Sequence, residues 1–170
     1  MQKEAPSLVS LSTVAICKIL IQSRIHSFCD SHSMDSNMSL YQALKRAVTE
    51  EDVKDAYIRA IGLKQYSKSL IDIRTAEVWF EAKEKRVPPA DMFAQLLDYV
   101  RQARKKGEPI PPFLSVINRE EAAIMPTEKA LPLIADKSIK WPKSASKVTK
   151  ELIKNKALYR NPFRCLHNRN

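Results

Sequence analysis

Apolar positions recur at helical spacing over residues 53–61, where Val53, Ala56, Tyr57, Ala60 and Ile61 fall on one face. Thr49 stands where an N-cap belongs, and Asp52 three residues on makes an approximate capping box. Gly62 supplies the left-handed stop that ends such a helix. The period then shifts towards two. Residues 69–74 read as a strand in which Leu70 is the outlier to strict alternation. Val78, Trp79 and Phe80 are β-branched or aromatic and open a second strand that ends near Lys83. Residues 75–77 are few enough for a hairpin turn, although they contain neither Gly nor Asn.

Pro88 and Pro89 punctuate the chain, and an amphipathic helix is predicted over 91–106. Its buried stripe is Met92, Phe93, Leu96, Leu97, Val100 and Ala103. Arg101, Arg104, Lys105 and Lys106 crowd its last turns, where cations suit the helix dipole, and Gly107 ends it. Residues 113–117 form a short apolar run, read as a buried strand. A further strand is expected at 122–125, before a helix capped by Thr127. The order helix, strand, strand, long helix, strand, strand defines a mixed α/β domain, with a central sheet flanked by helices.

That domain occupies residues 38–135. Residues 1–37 are Ser-rich and poorly patterned, and Met34 and Met38 are both candidates for the true start. Residues 136–170 form a basic tail, with a helix expected around 147–158, that reads as the truncated start of a following domain.

A chain of 170 residues can bury a real core. Two glycines among them leave no room for a Gly-rich phosphate loop or a dinucleotide fingerprint. The net charge of +10 is concentrated beyond residue 136, where ten basic side chains face the single acid Glu151. A basic tail on a near-neutral body suits DNA or RNA, with Lys140, Lys143, Lys147 and Lys150 as the expected contacts; a merely solvated tail accounts for it equally well. Trp141, inside the lysine run, is expected to pack rather than to stack on a base. Cys17, Cys29 and Cys165 are scattered and odd in number, which implies no disulfide framework and fits a reducing cytoplasm. His26, Cys29 and His32 match no familiar zinc spacing. The apolar run at 7–21 is broken by Lys18 and is too short to span a bilayer.

The candidate chemistry lies on the two predicted central strands. Glu81 and Lys83 are two apart, so they share a face, with Ala82 turned to the core. Asp72 and Glu81 are nine apart, which suits adjoining antiparallel strands joined by a short turn. Converging carboxylates attract a hard cation, and Asp72, Glu81 and the Ala82 carbonyl would hold Mg2+ or Mn2+. Lys83 would orient a water or neutralise a developing phosphorane. Glu50 falls on the inward side of its helix, and Gln95 and Tyr99 stack four apart on the long helix; these three are the expected supporting residues. A lone Glu-x-Lys triplet is also common as simple surface charge pairing, so the weight rests on the combination.

Ile71-Asp72-Ile73, Phe80-Glu81-Ala82-Lys83 and Gln95-Leu96-Leu97-Asp98-Tyr99 together resemble the PD-(D/E)xK nucleases, and the Q-x-x-x-Y element is similar to that of their RecB-like branch. Thr49-Glu50-Glu51-Asp52-Val53 resembles that family's first-helix Glu motif, with Glu50 the matching position. The run over 77–125 is similar to the nuclease module of fused restriction-modification enzymes that carry an adenine-specific DNA methyltransferase. The likeness covers residues 48–135. It implies a restriction-endonuclease-like αβββαβ core, a divalent metal and a DNA substrate. Ile71 replaces the Pro usual before the first acid, and no Asn-Pro-Pro-Tyr segment follows. The expectation is a metal-dependent DNA endonuclease whose partners are DNA and a separate methyltransferase or specificity subunit. The alternatives are a non-catalytic nucleic-acid-binding module and an inactive remnant of a restriction-methyltransferase fusion.

Overall fold

The computed structural model describes residues 38–141 and 164–167. Four helices and five strands occur among them. In chain order they are α1 (Leu40–Arg46), α2 (Glu50–Ile61), β1 (Ile73–Arg74), β2 (Val78–Ala82), α3 (Pro89–Lys106), β3 (Phe113–Ile117), β4 (Glu121–Pro126), α4 (Thr127–Ala135) and β5 (Arg164–His167). The strands form one mixed sheet in the order β1-β2-β3-β4-β5. Only the β2–β3 pairing is parallel, because α3 carries the chain back between them.

Side-chain alternation along β2 gives the sheet two covered faces. Val78, Phe80 and Ala82 join Leu44, Val53 and Tyr57 of α1 and α2 in one core. Trp79 joins Phe93, Leu96, Leu97 and Val100 of α3, with Leu114 and Met125, in the other. Burying each such large side chain is worth roughly 1.5–3 kcal/mol, which fixes the register, since a one-residue slip would exchange the faces.

Helix α2 starts as its sequence requires. The Thr49 hydroxyl accepts from the Asp52 N–H at 3.1 Å, and the Asp52 carboxylate accepts from the Thr49 N–H at 2.9 Å. Gly62 ends it at φ 69°. The buried face is rotated from the expected one: Ala60 is exposed, whereas Lys54 and Ile58 are buried. Tyr57 ties α2 to the sheet by donating to the Asn118 carbonyl at 3.3 Å.

Three expectations are corrected. The first strand is not 69–74 but only Ile73–Arg74, and Asp72 lies just before it. Residues 69–72 turn instead, with the Ser69 N–H bonded to the Ile71 carbonyl at 3.2 Å and Leu70 left in solvent. Helix α3 begins at Pro89, two residues early, because proline at the first helical position forfeits no intrahelical bond. Thr127 does not cap α4. It is the helix's first residue, its N–H bonds the Pro112 carbonyl at 2.9 Å, and its hydroxyl makes no cap bond.

The expected hairpin turn at 75–77 is present, and Thr75 does the work of the missing glycine. Its hydroxyl oxygen accepts from the Glu77 and Val78 N–H groups at 3.2 and 2.9 Å and donates to the Val78 carbonyl at 2.8 Å. Packing continues past residue 135: Ile139 is buried in the α3 core, Trp141 rests against it with the Arg101 guanidinium 5.0 Å from its ring centre, and β5 pairs with β4. Trp141 therefore packs, as its sequence context suggested. The expected helix at 147–158 and the candidate cluster His26, Cys29 and His32 lie outside the described residues. Among the described residues no helix is long and apolar enough to cross a membrane.

Candidate active site

The site forms where β2 ends beside β3, at the carboxyl ends of the parallel pair. The Lys83 N–H extends the ladder by bonding the Ile117 carbonyl at 3.0 Å, so the main chain carrying Glu81, Ala82 and Lys83 is held rigid. From the neighbouring turn, Asp72 reaches over and its Oδ2 accepts from the Ala82 N–H at 2.7 Å. That bond places the first acid one residue from the second, although Asp72 is not itself in a strand.

Glu81 is almost wholly buried, and its pKa is pushed up to about 7. Burial is the main cause; the Asp72 and Glu50 carboxylates add to it, and the Lys83 ammonium only partly offsets it. Lys83 Nζ lies 2.6 Å from Glu81 Oε1, 2.8 Å from the Ala82 carbonyl oxygen and 3.6 Å from Glu50 Oε2. Burial disfavours the Lys83 ammonium, but Glu81, Glu50 and Asp72 outweigh that cost and its pKa is raised. Glu50 itself is at the margin rather than in the core, with its side chain 37% exposed and its carboxylate directed to the two lysines of the site.

The second lysine is Lys54, on α2. Its side chain is only 8% exposed, and its ammonium is 3.4 Å from Asp72 Oδ1 and 3.6 Å from Glu50 Oε1. It also pairs with Glu51. Sequence reasoning missed Lys54. The only signal was its position one residue past Val53, on the helix face that carries Glu50 one turn earlier.

Tyr99 on α3 is half-buried against the core. Burial raises the pKa of its hydroxyl, and the nearby Glu81 and Asp72 charges raise it further. Gln95 lies half-buried one turn ahead and makes none of the side-chain bonds that join Asp72, Glu81 and Lys83. The Asp98 between them faces away: it is fully buried and grips Arg101 at 2.6 and 3.0 Å and Gln102 at 2.8 Å. Of the expected nucleic-acid contacts, Lys140 is exposed beside Trp141, and Lys143, Lys147 and Lys150 lie outside the described residues. A cavity of about 380 Å³ lined by Tyr66, Arg74, Trp79 and residues 109–111 opens at the other end of β2 and includes none of the candidate residues.

No group of three or more His, Cys, Asp or Glu stands in metal-holding array among the described residues. The set expected here is smaller, two carboxylates and a main-chain carbonyl, and magnesium commonly completes such a set with water. The oxygens suit a cation, since Glu81 Oε1 and the Ala82 carbonyl already share one ammonium. No family model, curated protein or solved structure matches the chain.

Proposed function

We propose that this chain is a metal-dependent endonuclease that hydrolyses DNA phosphodiester bonds, built on a PD-(D/E)xK core of restriction-modification type. The observation that carries the reading is the meeting of Asp72, Glu81 and Lys83 around Ala82: Asp72 on its N–H at 2.7 Å, Lys83 on its carbonyl at 2.8 Å and on Glu81 at 2.6 Å. Two carboxylates and an ammonium, one of the acids from a separate turn, meet at one corner, which is the kind of set that metal-assisted phosphodiester hydrolysis uses. The element order supports the same core. Two strands, β1 and β2, stand between α2 and α3 where the αβββαβ core has three, with one isolated antiparallel bridge from Ser67 to Arg74 on the outer side of β1, and β3 follows in parallel with β2.

Asp72, Glu81 and the Ala82 carbonyl would hold Mg2+ or Mn2+. When bound, the ion supplies an acidified water and charge neutralisation at the phosphate. Lys83 holds the attacking water or the phosphate oxygen in place. Glu50 pairs with Lys83 and Lys54 by charge at the margin of the site and orients Lys83. Tyr99, with Gln95 one turn before it, offers a hydroxyl to the substrate phosphate from the α3 side. The exposed Lys140 and the basic stretch after it attract the DNA backbone.

Supercoiled plasmid incubated with the protein and Mg2+, beside Asp72→Ala and Lys83→Ala, tests this. Cleavage by the native chain alone supports the reading. Retention of DNA without cutting by any of the three would make the chain a binding module. Neither retention nor cutting would make it an inactive remnant.

A further inference from the structure

The acids of the site are shared between two ammonium groups, and the two lysines are not equivalent. Lys83 touches Glu81 Oε1 at 2.6 Å, the Ala82 carbonyl at 2.8 Å and Glu50 Oε2 at 3.6 Å. Lys54 takes the other half of the set, Asp72 Oδ1 at 3.4 Å and Glu50 Oε1 at 3.6 Å, and adds Glu51. Glu50 thus spans both cations, one oxygen to each. The Lys83 side chain is 28% exposed, so its head can swing into solvent on its flexible stem. The Lys54 side chain is 8% exposed, and its ammonium is held by three carboxylates at once, Glu50, Glu51 and Asp72.

We infer that Lys54 is a positioning residue that serves as a built-in second cation, so that the site takes one divalent metal ion rather than two. The inference rests on the nuclease reading above and specifies the metal stoichiometry of that same site. Paired carboxylates in phosphodiester hydrolysis accommodate two ions when their oxygens are free to bridge them. Here the oxygens that a second ion would need, Asp72 Oδ1 and Glu50 Oε1, already face the Lys54 ammonium.

Charge balance agrees. Glu50, Glu51, Asp55, Asp72 and Glu81 form ion pairs or hydrogen bonds with Lys54, Lys68 and Lys83 or the main chain between them, five acids against three lysines. With all eight ionised the cluster carries −2, which one divalent ion cancels. A second would leave the cluster at +2. An ion that enters on the Lys83 side displaces an ammonium able to leave. An ion on the Lys54 side would have to displace one that three carboxylates hold.

Mn2+ titrated into the full chain and counted by electron paramagnetic resonance tests the inference, with Lys54→Met, Lys54→Gln and Lys54→Arg beside the native protein. The expected result is one ion per native chain, one for Lys54→Arg, and two for the neutral variants. One ion in the native chain and still one in folded Lys54→Met or Lys54→Gln overturns the inference and leaves the nuclease reading standing. No ion in the native chain overturns both. Thermal melting establishes which variants fold; should neither neutral variant fold, the native count decides, two ions overturning the inference and one supporting it.

Discussion

The Asp72 carboxylate accepts a hydrogen bond from the Ala82 main-chain N–H at 2.7 Å, which brings an acid from a turn onto the strand that carries Glu81. The bond makes Asp72 structural as well as chemical, and the two roles can be separated. Asp72→Asn keeps an oxygen for the Ala82 N–H and loses the charge. It should melt within about 1 kcal/mol of the native protein and cut DNA at least about 100-fold more slowly. Asp72→Ala loses the acceptor too and should cost a further ~1–2 kcal/mol. Thermal melts and single-turnover rates on the two variants check this; equal cutting by Asp72→Asn and the native chain would remove Asp72 from the chemistry.

Glu81 makes stability fall as pH rises. Its folded pKa of about 7 lies above its ordinary value of 4.5, so the folded state holds the proton more tightly. The contribution is fully present below 4.5, declines through the window from 4.5 to 7, and is gone above it. It is on the order of 3 kcal/mol. Glu81→Gln should therefore be more stable than the native chain at pH 8 without metal, and the advantage should vanish near pH 4.5. Denaturant melts at the two pH values read this directly, and a variant less stable at pH 8 would contradict it.

Tyr99→Phe removes only a hydroxyl from a helix whose packing is apolar on that side. Cleavage should fall roughly tenfold, the loss of one hydrogen bond of about 1.4 kcal/mol in the transition state. Stability should stay within about 0.5 kcal/mol. A rate unchanged by the substitution would confine Tyr99 to packing.

The sequence pattern revealed the elements whose signals are local. Thr49, Asp52 and Gly62 bound α2, Gly107 ends α3 with φ 71°, and the apolar run at 113–117 is β3. Helix α1 carries the same kind of signal in Ser39 and Gln42, which bond each other's main chain at 3.3 and 3.2 Å, but its seven residues are too few to show a helical period. The β1 error had a different origin. Ile71 and Ile73 alternate around Asp72 as a strand would, yet they serve opposite cores, and Ile71 belongs to a turn. Glu81 and Lys83 could be placed together because strand periodicity sets their geometry, whereas Asp72 reaches them from a turn through its bond to the Ala82 N–H, which no periodicity announces. Lys54 could not, because the burial of a lysine follows from tertiary charge partners rather than from its own helix.

The basic stretch carries a separate prediction. Replacing Lys140, Lys143, Lys147 and Lys150 by Ala should weaken binding to all DNA sequences alike, and should flatten the salt dependence by up to about four in log–log slope if each meets a phosphate. Cleavage of DNA already bound should be unaffected. Binding isotherms at several salt concentrations decide it; an unchanged slope would mean that these lysines touch no backbone.

The most direct measurement is the Mg2+-dependent single-turnover nicking of supercoiled plasmid by the native chain and by Lys83→Ala, at matched DNA occupancy. The arrangement of Lys83 on Glu81 and the Ala82 carbonyl predicts nicking by the native chain that stops with a chelator, and a loss of at least about 100-fold in the variant. Equal nicking by both, or none by the native chain while it holds DNA, would contradict the assignment.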